Sequence, residues 1–209
     1  MLLIRHGQSE FNVAFGKDRI DPGITDAPLT ELGRRQARDA ARAVVAMRAT
    51  HPVSRLVCSP YTRALQTAAI IGEMLELAIT VDPLVRELSA FACDIGTPRT
   101  HLVDRFPGHD FAGVTDEVWW HEHDRNGRES EVALHARCRQ FVETMAARDD
   151  WAEVAVVTHW GVIRALTGEG VDNCACLRRS PHDILRDGLR PVIDGVPAFA
   201  RPAAAGPNT

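Results

Sequence analysis

Short apolar runs alternate along the chain with longer segments in which apolar residues recur every three or four positions. The runs are typical of buried parallel strands and lie at residues 2–4, 55–58, 79–81 and 153–158. The periodic segments predict helices that begin at Thr30, Ser59 and Ser130, with shorter helices at residues 97–106 and 162–167. Residues 173–179 and 191–194 are expected to form closing strands.

This alternation predicts a three-layer α/β/α sandwich with a mostly parallel central sheet. A chain of 209 residues, 45% of them hydrophobic, is long enough for one large core, and we expect a single domain over residues 1–195. The pattern weakens at residues 89–128, which we interpret as an insertion that caps the sheet. Residues 196–209 lack any period and are expected to be a loose tail.

The composition argues against several classes of partner. A formal net charge of −4 is unlike a broad nucleic-acid-binding surface. The first strand leaves no room for a leader and no apolar run is long enough to cross a membrane, so we expect neither export nor a membrane anchor. Five scattered cysteines are expected to be reduced thiols and favour a cytoplasmic protein. The oligomeric state is open, a homodimer included, and Trp119-Trp120 could line a lid or an interface.

Charged residues and histidines follow the predicted strands directly. Arg5 and His6 end the first strand, and His159 ends the last. Arg63 lies in the first turn of the helix after the second strand, and Glu87 comes just after the third strand. Because parallel strands bring their carboxyl ends to one edge of a sheet, we expect these five side chains to converge.

Two arginines, two histidines and a carboxylate suit a phosphate ester. Arginine's planar fork matches phosphoryl oxygens, a histidine can act as a covalent nucleophile, and a carboxylic acid can protonate the leaving oxygen. Such a reaction needs neither a metal nor another cofactor. A second group of histidines, His109, His121 and His123, lacks zinc-type spacing, and the nearby tryptophans indicate a packed lid rather than a metal site.

Four separated segments carry a resemblance to a known family. They read Leu-Ile-Arg-His-Gly-Gln-Ser-Glu-Phe-Asn at residues 3–12, Pro-Leu-Thr-Glu-Leu-Gly-Arg-Arg-Gln-Ala at 28–37, Cys-Ser-Pro-Tyr-Thr-Arg-Ala-Leu-Gln-Thr-Ala at 58–68 and Val-Thr-His-Trp-Gly at 157–161. In this order they resemble the motifs of the histidine phosphatase superfamily, in its phosphoglycerate mutase-like branch. The resemblance implies a phosphoglycerate mutase-like fold and covers most of the chain.

The resemblance also implies roles for individual residues. By it, His6 is the nucleophile that becomes phosphohistidine. Arg5, Arg63 and His159 form the pocket that holds the phosphoryl group, and Asn12 adds a hydrogen bond to it. The resemblance implies no metal or cofactor and a small phosphorylated molecule as the partner.

The resemblance also concerns the general acid and two positions at which this sequence differs from the family pattern. Glu87 occupies the place of the family's general acid, with Asp94 as an alternative. Gln8 stands where the family often has glutamate, and Trp160 stands where glycine is frequent. We therefore expect a bulky ring at the mouth of the pocket.

Phosphatase action on small phosphate monoesters is the function that the resemblance implies. Mutases of the family carry a Tyr- and Pro-rich substrate segment between the positions of Glu87 and Ser130, and this sequence has no such segment there. Mutase-type phosphoryl transfer is one alternative, and a weakly active phospho-ligand binding or scaffolding module is another. Substrate choice is expected to depend on residues 17–26 and 89–128.

Overall fold

A five-stranded sheet lies between two layers of helices in the computed structural model, which describes residues 1–120 and 128–192. The strands are β1 (Leu2–Arg5), β2 (Arg55–Cys58), β3 (Ile79–Val81), β4 (Val154–Thr158) and β5 (Cys176–Arg178), in the order β3-β2-β4-β1-β5. The helices are α1 (Glu10–Asp18), α2 (Glu31–Met47), α3 (Thr62–Leu75), α4 (Arg99–Arg105), α5 (Glu131–Ala146), α6 (Trp160–Thr167) and α7 (Pro181–Asp187). Only the β1–β5 pair is antiparallel among the described strands, so the predicted fold class is confirmed.

Both faces of β1, β2 and β4 are buried, because alternate residues of these strands point into two different cores. In β1, Leu2 and Ile4 belong to the core that α2 and α3 cover, whereas Leu3 belongs to the core that α5, α6 and α7 cover. The central strand β4 is buried along its whole length. Strands covered on both faces need continuous apolar runs, and this is the pattern that the sequence shows. The pairing places the carboxyl ends of β1, β2 and β4 side by side.

The structure corrects the prediction at several boundaries. The helix predicted from Ser59 begins at Thr62, because Tyr61 keeps an extended backbone and the carboxylate of Asp26 accepts hydrogen bonds from Thr62 N and Oγ1. β5 is shorter than predicted, since Cys174 has a left-handed backbone with φ of 60°. Residues 191 and 192 are not a strand, whereas residues 193 and 194 and the predicted tail at 196–209 lie outside the described residues.

Two short helices were not predicted from the sequence. α1 begins at a capping box, in which Ser9 Oγ accepts from Asn12 N and Asn12 Oδ1 accepts from Ser9 N. α7 begins at Pro181 after a Ser180 cap. α1 depends on its cap more than on apolar periodicity, since it buries only Phe11. Among the described helices, none is both long and apolar enough to cross a membrane.

The segment at residues 89–120 packs against the sheet and α3. Trp119 is buried, its ring lies edge-to-face on Tyr61 with centroids 4.8 Å apart, and its Nε1 donates to Thr97 O. Trp120 packs beside it as a partly buried ring. These tryptophans therefore belong to the core next to α3.

Candidate active site

The ends of β1 and β4 bring the two predicted histidines together. Arg5 pairs with Thr158 in the parallel register, so His6 and His159 follow neighbouring strands at the same level. Their ring centroids are 5.0 Å apart, and both side chains are buried. The predicted convergence of these histidines is thus present in the structure.

His6 is held as a neutral ring with a defined tautomer. Its Nδ1 lies 2.7 Å from Gly7 O, and because a carbonyl oxygen only accepts, the ring proton resides on Nδ1. Nε2 therefore carries the lone pair. Burial lowers the pKa of His6 well below its ordinary value, and the positive charges of Arg63 and Arg5 lower it further. A neutral imidazole with a free lone pair is the form that a nucleophile needs.

The loop after His6 lies directly on the first turn of α2. A Cβ atom on Gly7 would lie 2.5 Å from Gly33 O, and one on Gly33 would collide with Gln8 O. Both positions therefore need glycine for close backbone approach rather than for an unusual φ. Gly7 N also donates to Thr67 Oγ1 of α3, so two helices fix the loop that follows His6.

Two arginines stand beside this ring, one on the strand and one on α3. Arg5 Nη1 donates to Val171 O at 2.7 Å, while its buried Nε has no hydrogen-bond partner within the described part of the chain. Arg63 is 3% exposed, and its Nη1 and Nη2 donate to Cys93 O and Asp94 Oδ1. Burial opposes the charge of Arg63, but Cys93 and Asp94 raise its pKa above the ordinary value overall. Both guanidinium groups are thus fixed and charged.

His159 is hydrogen-bonded to Ser59, a residue for which no role was predicted. Ser59 Oγ lies 2.8 Å from His159 Nε2 and also accepts from Tyr61 N. When Ser59 Oγ–H donates to Nε2, the ring proton of His159 is on Nδ1. This Nδ1 atom is buried and has no hydrogen-bond partner among the described residues. Burial lowers the pKa of His159 well below its ordinary value, and Arg63 and His6 lower it further. The signal for Ser59 was its place directly after β2, the neighbour of β4.

Glu87 lies in the same site, held by backbone donors. Its Oε1 accepts from Leu88 N at 2.8 Å and from Gly161 N at 3.0 Å. A Cβ atom on Gly161 would overlap this oxygen in its present position, so glycine lets the Glu87 carboxylate approach the backbone where α6 begins. Burial raises the pKa of Glu87, the nearby Asp94 carboxylate raises it further, and Arg63 and the two backbone bonds oppose the rise.

Asp94, the alternative acid, is occupied by other contacts. Its Oδ1 pairs with Arg63 at 3.0 Å, and its Oδ2 accepts from Ala90 N and Phe91 N. Burial raises the pKa of Asp94, and Arg63 opposes the rise. The geometry therefore makes Asp94 the group that orients Arg63. The sequence carries no local signal for this pair, because its members belong to α3 and to a turn 31 residues later.

One cavity of about 510 Å³ joins these groups. Five of the six predicted site residues line it: Arg5, His6, Asn12, Arg63 and Glu87. His159 is not among the lining residues, but its ring packs against that of His6. Asn12 Oδ1 accepts from Ser9 N and Asn173 Nδ2, which orients the Asn12 amide. The structure therefore brings the predicted residues together at one edge of the sheet.

The histidines considered for a metal site lie elsewhere. His109 Nδ1 accepts from Ile79 N beside the edge strand, whereas His121 and His123 are outside the described residues. Within residues 1–120 and 128–192, no three His, Cys, Asp or Glu side chains are grouped to hold a metal ion.

Comparison with known proteins agrees with this geometry. The family model of the histidine phosphatase superfamily (branch 1) matches residues 1–174. The chain belongs to the histidine phosphatase superfamily. A glucosyl-3-phosphoglycerate phosphatase of Mycobacterium tuberculosis is 33% identical over 175 residues, which cover 80% of this chain and 73% of the relative. A putative phosphoserine phosphatase 2 of Hydrogenobacter thermophilus is 30% identical over 177 residues, covering 83% and 81% of the two chains.

A solved structure of this histidine phosphatase family has the same fold. It is the mycobacterial glucosyl-3-phosphoglycerate phosphatase in complex with VO3, with a TM-score of 0.58 and 27% sequence identity. The match covers 84% of this chain and 88% of that one. The predicted family and phosphoglycerate mutase-like fold are therefore confirmed.

In this histidine phosphatase, a buried arginine of α5 holds the segment that carries Glu87. Arg137 Nη1 donates to Leu84 O and Arg86 O, and its Nη2 donates to Glu87 O. Its Nε and Nη2 also bind both oxygens of Glu129, which pairs with Arg86 as well. Arg137 lies within the buried face of α5, and no local pattern in the sequence reveals its three carbonyl acceptors.

Arg137→Met is expected to lower the free energy of unfolding by about 3 kcal/mol, because the buried carboxylate of Glu129 loses its main partner. Urea denaturation followed by tryptophan fluorescence measures the loss. Arg38→Met is the control, since the Arg38–Glu31 pair is exposed and contributes little. Equal losses in the two variants would show that the Arg137 network does not stabilise the fold.

Proposed function

We propose that this protein is a phosphatase that hydrolyses small phosphate monoesters through a phosphohistidine on His6. The proposal rests on the neutral ring of His6. Its Nδ1–H donates to Gly7 O, and the His6 side chain lines the cavity beside Arg5 and Arg63. A lone pair next to two fixed guanidinium groups suits attack on phosphorus within an anionic ester.

The reaction proceeds in two displacements. His6 Nε2 attacks the phosphorus, the bond to the ester oxygen breaks, and protonated Glu87 gives its proton to the leaving alcohol. Water then attacks the phosphohistidine, the nitrogen–phosphorus bond breaks, and the Glu87 carboxylate takes the proton from the water. Inorganic phosphate leaves, and both side chains return to their starting states.

The phosphoryl oxygens are bound by groups that need a partner. Buried Arg5 Nε and His159 Nδ1 lack hydrogen-bond partners among the described residues, and a buried donor without a partner is costly. A phosphoryl group would satisfy both, with Arg63 supplying charge and Asn12 a further donor. Burial of these donors strengthens each contact to the transferring group.

Phosphatase action is favoured over mutase action by the relatives and by the sequence. The two relatives described above, which align with about four fifths of this chain, are named as phosphatases. Residues 88–129 contain no tyrosine and only two prolines, unlike the substrate segment of the mutases. The intact pair of arginines and pair of histidines argues against a binding module that lacks turnover.

Further properties belong to the same proposal. The two guanidinium groups provide the positive charge that a metal would provide, so the activity needs no metal. Residues 1–195 are proposed to form one domain, with residues 89–128 as an insertion that caps the sheet. The five cysteines are free thiols, which supports a cytoplasmic location. A homodimer stays a prediction, for which light scattering is the measurement.

Release of inorganic phosphate from a panel of esters tests the function. The panel contains sugar phosphates, phosphoglycerates, nucleotides and phosphoamino acids, each with and without EDTA. We expect hydrolysis of at least one class, unchanged by EDTA. Transfer of labelled phosphoryl groups between phosphoglycerates without release would favour the mutase instead. Tight binding that phosphate displaces, without hydrolysis of any ester, would favour the binding module.

A further inference from the structure

Aromatic rings line the cavity next to the groups that would bind phosphate. Phe11 and Phe15 of α1 stack with centroids 5.3 Å apart, and Phe91 lies 5.4 and 5.1 Å from them. Trp160, the first residue of α6, lines the same cavity, as expected for the bulky ring at its position. Phe15, Phe91 and Trp160 are each only partly buried, and all three line the cavity.

Several polar residues of the cavity outside the phosphate site are bonded to the protein itself. Gln8 Oε1 accepts from Thr30 Oγ1, Ser9 Oγ accepts from Asn12 N, and Asn173 Nδ2 donates to His6 O. These groups maintain the loop and α1, so they are poorly suited to recognise a ligand with many hydroxyl groups.

One further charged residue lines the cavity outside the phosphate site. Arg19, at the exposed C-terminal end of α1, places its guanidinium carbon 5.6 Å from the centroid of Phe15. The cation is attracted to the face of the Phe15 ring and helps to hold that ring in place. Its distance from the ring is at the outer limit of such an interaction, so the guanidinium also remains open to water.

We propose that the alcohol portion of the substrate is an aromatic or apolar ring that packs against Phe15, Phe91 and Trp160. The proposal rests on the proposed phosphatase function and names its substrate class. An apolar ring gains binding free energy from leaving water and from contact with the rings of Phe15, Phe91 and Trp160, which we call the aromatic wall. A polyhydroxylated alcohol would lose hydrogen bonds to water where it contacts these rings, because ring faces do not replace those bonds. The substrate class therefore differs from the sugar ester in the name of the mycobacterial relative.

The test compares benzyl phosphate with glycerol 3-phosphate. Both are esters of primary alcohols, so their bonds to phosphorus are of the same kind and the ring is the main difference. For the wild-type protein we expect kcat/KM to be at least about tenfold higher for benzyl phosphate, the size of effect that one buried ring produces. Titration calorimetry with benzylphosphonate and methylphosphonate, which are not hydrolysed, should show the same preference in Kd.

Substitutions of two phenylalanines of the aromatic wall test whether its rings cause the preference for benzyl phosphate. Phe15→Ala and Phe91→Ala are each expected to lower kcat/KM for benzyl phosphate about tenfold and to change that for glycerol 3-phosphate less than about twofold. Val132→Ala, at a position on α5 that is 79% exposed, is the control and should change neither. If a variant does not fold, the wild-type comparison still decides, because it needs no substitution.

Each outcome separates the two proposals. Hydrolysis of glycerol 3-phosphate at an equal or higher kcat/KM would overturn the ring proposal and leave the phosphatase standing. A lower Kd for benzylphosphonate than for methylphosphonate, without hydrolysis of these two esters or of any ester in the panel, would support binding of a ring at this site and overturn the phosphatase. Equal loss on both esters in the phenylalanine variants would show that the rings only maintain the fold.

Discussion

His6→Ala is expected to lower kcat/KM for every ester by at least about 10⁴-fold, because it removes the atom that forms the bond to phosphorus. The structure offers no substitute at that position, since the neighbouring His159 holds its Nε2 against Ser59. Phosphate release from benzyl phosphate and p-nitrophenyl phosphate measures the loss. An effect of this size distinguishes a nucleophile from a residue that only binds phosphate.

A second readout identifies the intermediate directly. Wild-type protein quenched in base during turnover of a labelled ester should carry label on a histidine, and His6→Ala should carry none. His51→Ala is the matched control, because His51 is exposed and far from the site in the fold, bonded to Thr50. Addition of phosphate should still raise the Tm of His6→Ala, since both arginines remain. Retention of more than a tenth of the activity would rule out the proposed intermediate.

The strand ends explain why much of the site could be predicted from the sequence. Arg5, His6 and His159 directly follow apolar runs, and parallel strands bring such positions to one edge. Arg63 was predictable for a related reason, because it occupies the first turn of a helix that begins near that edge. In these cases a local pattern and a topological rule together determined the location.

The supporting contacts could not be predicted in this way. Asp94 orients Arg63 across 31 residues of chain, and Arg137 binds three carbonyl oxygens of a segment about 50 residues before it. These pairs are set by tertiary packing, and nothing in the periodicity of α3 or α5 indicates them. The same limit applies to α1, whose capping box is readable but whose apolar face buries a single ring. Prediction failed where the structure depends on individual side-chain contacts rather than on repeating patterns.

Glu87→Gln is expected to lower kcat/KM for benzyl phosphate by about 10²- to 10⁴-fold, because the amide cannot protonate the leaving alkoxide. The loss for p-nitrophenyl phosphate should be much smaller, since nitrophenolate leaves without a proton. Glutamine keeps the size of the side chain and an oxygen that can accept from Gly161 N. Steady-state kinetics with both esters therefore separates acid catalysis from a general disturbance of the site.

The pH profile gives the same assignment independently. Burial raises the pKa of Glu87, so the acid remains protonated to higher pH than an exposed glutamate, and kcat/KM should fall as the pH rises through that raised pKa. His6 has a lowered pKa and is already neutral over this range, so the activity it supports is lost only at lower pH. In Glu87→Gln the fall at high pH should disappear.

Asp94→Asn distinguishes the two carboxyl groups. The variant removes the charge that orients Arg63, so we expect a higher KM with the fall at high pH retained. The amide still fits between Arg63 and the backbone donors of Ala90 and Phe91, although it accepts fewer hydrogen bonds. If Asp94→Asn lost the fall at high pH while Glu87→Gln kept it, Asp94 would be the acid and Glu87 the positioning group.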